Sequence, residues 1–193
     1  MTGRLIAGAS GYSYKEWCGS FYPEKTRPDA MLGLYSARLP TVEINNTFYR
    51  MPKADVLEAW RDATPEPFRF AIKASRRITH DARLKAEDAA DSVAYLYRNL
   101  DALGAKRGPV LFQLPPFLKK DLPRLEAFLS ILPDSHRAAF EFRNESWFDD
   151  DVYAALKRAS ASLCLSERED NLPPPLVETA PFGYVRLRLE EYG

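Results

Sequence analysis

The chain has 193 residues with 27 basic and 27 acidic side chains and no net charge, so no global field draws it to nucleic acid or to a membrane surface. Hydrophobic residues make up 46% and charged residues 28%, the balance of an ordinary globular protein with enough length for one good core. Two cysteines, Cys18 and Cys164, supply neither a disulfide framework nor a zinc site. The N-terminal MTGRLIAGAS lacks the apolar stretch of a signal peptide, so a cytoplasmic location without membrane association is expected.

In chain order, the first strand is predicted over Leu5–Ser10. Asp29 is placed to cap a helix carrying Met31, Leu34, Tyr35 and Ala37; strand Thr41–Asn45 follows, and a helix near Ala54–Ala63 puts Val56, Leu57 and Trp60 on one face. Strand Phe68–Lys73 leads to the longest helix, roughly Glu87–Leu103, with Val93, Leu96, Tyr97, Leu100 and Leu103 at i, i+3, i+4 spacing. Gly104 stands where a C-cap glycine belongs. Strand Pro109–Gln113, a helix near Leu122–Ile131, strand Ala138–Arg143, a helix near Asp149–Ala159 and strand Ser162–Ser166 continue the alternation. A proline-rich loop over Leu172–Pro181 then precedes a seventh strand, Tyr184–Arg188. Strict alternation of strand and helix demands parallel pairing through right-handed crossovers.

Side chains alternate along a strand, so one parity faces the helices and the other the interior of a barrel. Val42 and Ile44, Phe70 and Ile72, Val110 and Phe112, Phe140 and Phe142, Leu163 and Leu165, and Val185 and Leu187 form the apolar set. The opposite parity carries Ser10, Glu43, Asn45, Lys73, Gln113, Glu141, Arg143, Ser166, Arg186 and Arg188. Polar groups confined to the C-terminal ends of otherwise apolar strands mark the mouth of a (β/α) barrel. The predicted fold is therefore α/β, a parallel TIM-barrel-like domain over residues 1–193. A full barrel has eight strands, and seven are found.

Burying many charges at one end is costly unless they are paired, and Glu beside Lys and Arg is how acid–base sites are built. Glu43, Lys73 and Glu141 are the candidate catalytic residues: either carboxylate as base, the ammonium as proton donor or electrophile. Asn45, Gln113, Arg143, Arg186 and Arg188 are candidate substrate-binding groups. Tyr12, Trp17 and Trp147, on the loops after the first and fifth strands, form with their neighbours an aromatic collar suited to stacking on a base or sugar ring. Arg76, Arg77, His80, Arg83, Lys119 and Lys120 add positive charge after the third and fourth strands. A small anionic ligand bearing phosphate or carboxylate follows. The second candidate is a non-catalytic nucleic-acid-binding protein whose basic loops grip phosphates. No metal site is expected: the histidines are His80 and His136 alone. Glu43 and Glu141 are the only groups that would serve a weakly held magnesium ion. Cys164 points inward but reads as a small core residue.

At these residues the chain resembles a known family, the YecE-like proteins, catalogued as domain of unknown function seventy-two. The matching segments are Gly8–Tyr12 with Tyr14 and Trp17 through Pro23, Val42–Arg50, Phe70–Lys73 leading into Ile78-Thr79-His80, and Gly108–Phe117. Glu141-Phe142-Arg143 with Ser146-Trp147, and Tyr184–Arg188, complete them. The resemblance implies a TIM-barrel-like fold and brings no reaction with it. Family members continue past the Tyr-x-Arg strand with a helix and a final strand carrying Asn or Asp near its end. The expectation is a C-terminally incomplete barrel lacking the eighth strand and its neighbouring helix.

Overall fold

The computed structural model describes residues 3–134, 137–167 and 175–187. Seven strands are seen there: β1 (Gly8–Ser10), β2 (Thr41–Ile44), β3 (Arg69–Lys73), β4 (Arg107–Gln113), β5 (Ala138–Glu141), β6 (Ser162–Ser166) and β7 (Tyr184–Arg186). Five α-helices lie between them: α1 (Pro28–Ser36), α2 (Ala54–Asp62), α3 (Ala86–Leu100), α4 (Leu122–Ser130) and α5 (Asp150–Arg158). The strands follow the sheet order β1-β2-β3-β4-β5-β6-β7, and the β1–β2, β2–β3, β4–β5, β5–β6 and β6–β7 ladders are parallel. The fold is α/β and TIM-barrel-like, one strand short of eight among the described residues. The polypeptide packs as two compact units, Met1–Lys73 with Tyr95–Gly108, and Ala74–Ala94 with Pro109–Gly193.

In the first unit β1 and β2 run so close that a Cβ on Gly8 would lie 2.0 Å from the Thr41 carbonyl oxygen, which leaves glycine as the residue that fits. Tyr35, fully buried on α1, stitches these strands: its hydroxyl accepts from Ala9 N–H at 2.7 Å and donates to Thr41 O at 2.8 Å. Its ring packs edge-on against Phe68 at 6.2 Å. Helix α1 begins after Arg27 with Pro28 in its first turn, not at an Asp29 cap, because proline presets the helical φ and needs no N–H partner there. At the far end of α2, the buried Lys106 sends its ammonium to the carbonyl oxygens of Arg61 and Thr64. Both carbonyls lie at the C-terminal, negative pole of the helix, where main-chain donors run out. Helix α3 ends at Leu100, three residues earlier than the spacing predicts, and a 3-10 segment over Asp101–Lys106 follows. Gly104 takes φ 53° and ψ −130° inside that segment, a kink that suits glycine, so it does not cap α3 as the spacing predicts.

In the second unit residues two apart on a strand share a face, and the shared face is layered. Leu111, Ala139 and Cys164 form a buried apolar layer with Tyr184 packed against it. The next position of the same parity on each strand is Gln113, Glu141, Ser166 and Arg186. On the opposite parity Phe112 stacks on Phe140 at 5.2 Å, and Phe128 of α4 meets both edge-on. Helix α4 is capped by Asp121, whose carboxylate accepts from Arg124 N–H at 3.1 Å. Ahead of β7 the chain makes one further contact with β6: Thr179 Oγ1 accepts from Leu163 N–H at 2.8 Å and donates to Ala161 O at 2.7 Å. The observed strands are trimmed relative to expectation at β1, where Leu5 is exposed, and at β5, where Arg143 stands beyond the ladder.

Replacing Lys106 by Met keeps the apolar stem and removes the donor. With Thr64 O losing this donor and Arg61 O left with its contacts from Thr64, stability should fall by about 1–3 kcal/mol, read as a lower urea midpoint. An unchanged midpoint would show that the ammonium does not close this helix.

Candidate functional site

Within the first unit the C-terminal ends of β1, β2 and β3 carry Ser10, Glu43, Asn45 and Lys73. Register sets Ser10 beside Glu43, and the serine hydroxyl donates to Glu43 Oε1 at 2.9 Å. Glu43 is buried, on the parity opposite Val42 and Ile44. The Gly11 N–H donates to Glu43 O at 2.8 Å, tying the loop after β1 to this strand. Thr47, one turn past β2, lies with its hydroxyl 2.8 Å from Lys73 O and 2.9 Å from Ile44 O, which fixes where both strands end. The Lys73 ammonium stands 4.6 Å from the centre of the Phe48 ring, a cation–π contact that holds its direction. Asn45 Oδ1 is buried and accepts no hydrogen bond among the described residues. A buried acceptor of this kind is completed by a ligand or water donor, since leaving it bare costs about 1–3 kcal/mol.

Within the second unit the polar layer of β4 to β7 is a connected network. Glu141 Oε1 accepts from Gln113 Nε2 at 2.9 Å and from Ser166 Oγ at 3.3 Å. Its Oε2 accepts from Arg186 Nη1 at 2.6 Å, with the two side chains 2% and 10% exposed. Glu141 is thereby engaged at both oxygens, an anchor for the Arg186 guanidinium and poorly placed to receive a substrate proton. Arg143, two residues past Glu141, is exposed and makes no ion pair among the described residues. Arg188 lies outside the described residues. Ser10 and Ser166 belong to the predicted inward parity, yet their part as hydrogen-bond donors to the two glutamates emerges only from the register.

The loops of the second unit separate compensated from uncompensated charge. Arg76 pairs with Asp81 at 3.2 Å, and Lys120 with Asp149 at 2.8 Å and Asp151 at 2.7 Å. The hydrogen bonds that Lys120 donates to these aspartates hold it above its ordinary pKa, and the same contact holds Asp149 low. Arg77, Lys119 and Arg143 are exposed without an ion pair among the described residues, and Arg83 lies over the Phe117 ring at 5.3 Å.

The expected aromatic collar is corrected. Trp147 is fully buried, stacked on Phe142 at 4.8 Å with its indole N–H donating to Leu118 O at 2.7 Å; it fills the space under two loops and offers no open face. Tyr12 and Trp17 are half-buried in one cluster, 6.3 Å and 6.5 Å from Tyr35. The most exposed rings among the described residues are Tyr49, 81% exposed, and Phe117, 63% exposed.

Among the described residues no three His, Cys, Asp or Glu side chains converge on a metal position, and no helix is long and apolar enough to cross a membrane. The family model described as protein of unknown function DUF72 matches residues 6–192. UPF0759 protein YunF of Bacillus subtilis is 33% identical over 146 residues, covering 69% of this chain and 50% of that protein. UPF0759 protein YecE of Escherichia coli is 34% identical over 115 residues, 59% of this chain and 42% of its own length. The chain thus spans about half the length of the curated relatives it matches. A DUF72 family protein from Thermotoga maritima has a crystal structure similar at TM-score 0.80 and 25% identity, over 94% of this chain and 73% of that one. One from Enterococcus faecalis is similar at TM-score 0.65 and 21% identity, over 83% of this chain and 70% of that one.

Tyr22 lies in the same aromatic cluster, its hydroxyl donating to Tyr12 O. Burial, with Tyr35, Tyr12 and Cys18 adding to it, pushes its pKa from 10 to about 12. The folded chain then keeps a proton that the unfolded chain releases, so stability present below pH 10 is lost as pH rises towards 12. The urea midpoint should fall across that window, and Tyr22→Phe should flatten the fall; an equally steep fall in the variant would remove Tyr22 as its cause.

Proposed function

The chain belongs to the DUF72 family, and on that premise we propose that it is a cytoplasmic enzyme acting on a small substrate that carries a phosphate or carboxylate. One observation supports the anionic substrate above the others. Arg77, Arg83, Lys119 and Arg143 are exposed on loops of the second unit and make no ion pair among the described residues, while Arg76, Lys120 and Arg186 of the same unit are each matched to a carboxylate. A guanidinium fork matches carboxylate and phosphate oxygens in pairs, so Arg143 takes the charged group, while Arg186 stays committed to Glu141. Gln113 and Ser166 keep Glu141 in that supporting role.

The first unit carries a candidate acid–base pair of its own, with Glu43 as base, oriented by Ser10, and Lys73 as proton donor or electrophile. Asn45 Oδ1 takes a hydrogen bond from a substrate hydroxyl or amide. Tyr12 and Trp17 pack into the cluster around Tyr35 and do not stack on the ligand.

Calorimetric titration with inorganic phosphate and with small dicarboxylates at low salt should show binding. Arg143→Ala should weaken it roughly ten- to hundredfold, the loss of a charge-assisted hydrogen bond. Against a panel of phosphorylated and carboxylated metabolites, Glu43→Gln should abolish turnover and leave phosphate affinity unchanged. No binding of either anion overturns the substrate class, and retained turnover in Glu43→Gln overturns the base.

A further inference from the structure

The loop after β4 puts one ring into water and fixes it there. Pro115, Pro116, Phe117 and Leu118 form a tight turn closed by Leu118 N–H donating to Pro115 O at 3.1 Å. Pro116 takes the second place of the turn, the one proline favours. Pro115 and Leu118 at its ends are buried, and Phe117 at its tip is 63% exposed. The loop after β5 braces the turn through three hydrogen bonds. Asn144 Nδ2 donates to Pro116 O at 2.9 Å, Trp147 Nε1 donates to Leu118 O at 2.7 Å, and Ser146 Oγ accepts from Lys120 N–H at 2.8 Å. A lone exposed apolar side chain is ordinary on a protein surface. One held out by bracing on both flanks is a platform.

Cations stand on either side of it. Arg83, on the loop after β3, lies with its guanidinium carbon 5.3 Å from the centre of the Phe117 ring. A left-handed backbone at Arg83 and Leu84, φ 52° and 60°, with Leu84 buried, fixes where that arginine starts. A ring covered on both faces could not leave so much of the residue in water, so the face away from Arg83 is left for a ligand. Arg143 precedes Asn144 as Phe117 follows Pro116, so the Asn144–Pro116 bond anchors the main chains of these two exposed residues side by side. All of these residues belong to the second unit.

A phenyl face flanked by guanidinium groups without carboxylate partners suits a flat heteroaromatic ring that carries an anion. The ring is taken by stacking, and the phosphate oxygens by an arginine fork. We propose that the second unit binds a nucleoside monophosphate, with the base stacked on Phe117 and the phosphate on Arg143. Arg83 backs the ring from its other face and adds positive charge. A phosphate monoester brings close to two negative charges at neutral pH, a better match for several unpaired cations than one carboxylate. The phosphate part rests on the anionic-substrate reading; the base is new.

Calorimetry of the full chain compares adenosine monophosphate with ribose 5-phosphate, which keeps the phosphate and lacks the base. The nucleotide should bind roughly ten- to hundredfold tighter, the worth of one base on an aromatic side chain. Phe117→Ala should erase that difference and leave ribose 5-phosphate affinity unchanged. Phe117→Trp should retain the difference, and the nucleotide alone should quench the added indole fluorescence. Equal affinity for the two ligands in the wild-type chain overturns the proposal and leaves the anionic reading standing. A difference that survives Phe117→Ala overturns the part given to the ring. A single-stranded oligonucleotide bound far more tightly than the nucleotide overturns the monophosphate in favour of a strand. If neither ligand nor inorganic phosphate binds, the anionic reading itself falls and takes this proposal with it.

Discussion

A parallel strand covered on both sides has no water along its length, so a charge placed there must bring its partner on an adjoining strand. Glu141 illustrates the constraint. Its neighbour in register on β4 is Gln113, Ser166 of β6 reaches it from the other side, and β7 supplies Arg186. None of these four tolerates loss of the others easily, since a buried pair broken on one side leaves an uncompensated ion. The layer below, Leu111, Ala139 and Cys164, can be purely apolar because the polar groups have been pushed to the last position each strand offers. Glu43 with Ser10 repeats the solution on β1 and β2.

This constraint is also why much of the site is legible in the order of residues alone. Period-two alternation assigns Glu43, Gln113, Glu141 and Arg186 to one parity, and the strands keep them on it, while Asn45 and Arg143, assigned alike, stand past the strand ends. Helices α2 and α4 begin where the apolar spacing puts them. What escapes is whatever depends on loops folding back. Trp147 has the composition of a ligand-stacking ring, but its burial is decided by Leu118, whose loop receives the indole N–H. Lys106 looks like a solvated lysine until the 3-10 segment carries it under the end of α2.

Charge in the second unit falls into two classes with different costs. Arg76, Lys120 and Arg186 are committed to carboxylates and their energy is spent on shape. Arg77, Lys119 and Arg143 keep theirs for solution, where attraction to an anion is screened by salt over about 10 Å. The net charge of zero hides this division, because the acidic residues that balance the total sit on helices such as α5, with Asp150 and Asp151 in its first turn, favourable places for negative charge in their own right.

Thr179 has a consequence for how so short a strand as β7 survives. β7 meets β6 only from Cys164 onward, so the stretch before it would leave main-chain groups bare along a flank open to any passing polypeptide. By giving Leu163 N–H an acceptor and Ala161 O a donor, one hydroxyl imitates a missing strand. It acts as a guard against edge-to-edge clumping, and it does so without lengthening the sheet.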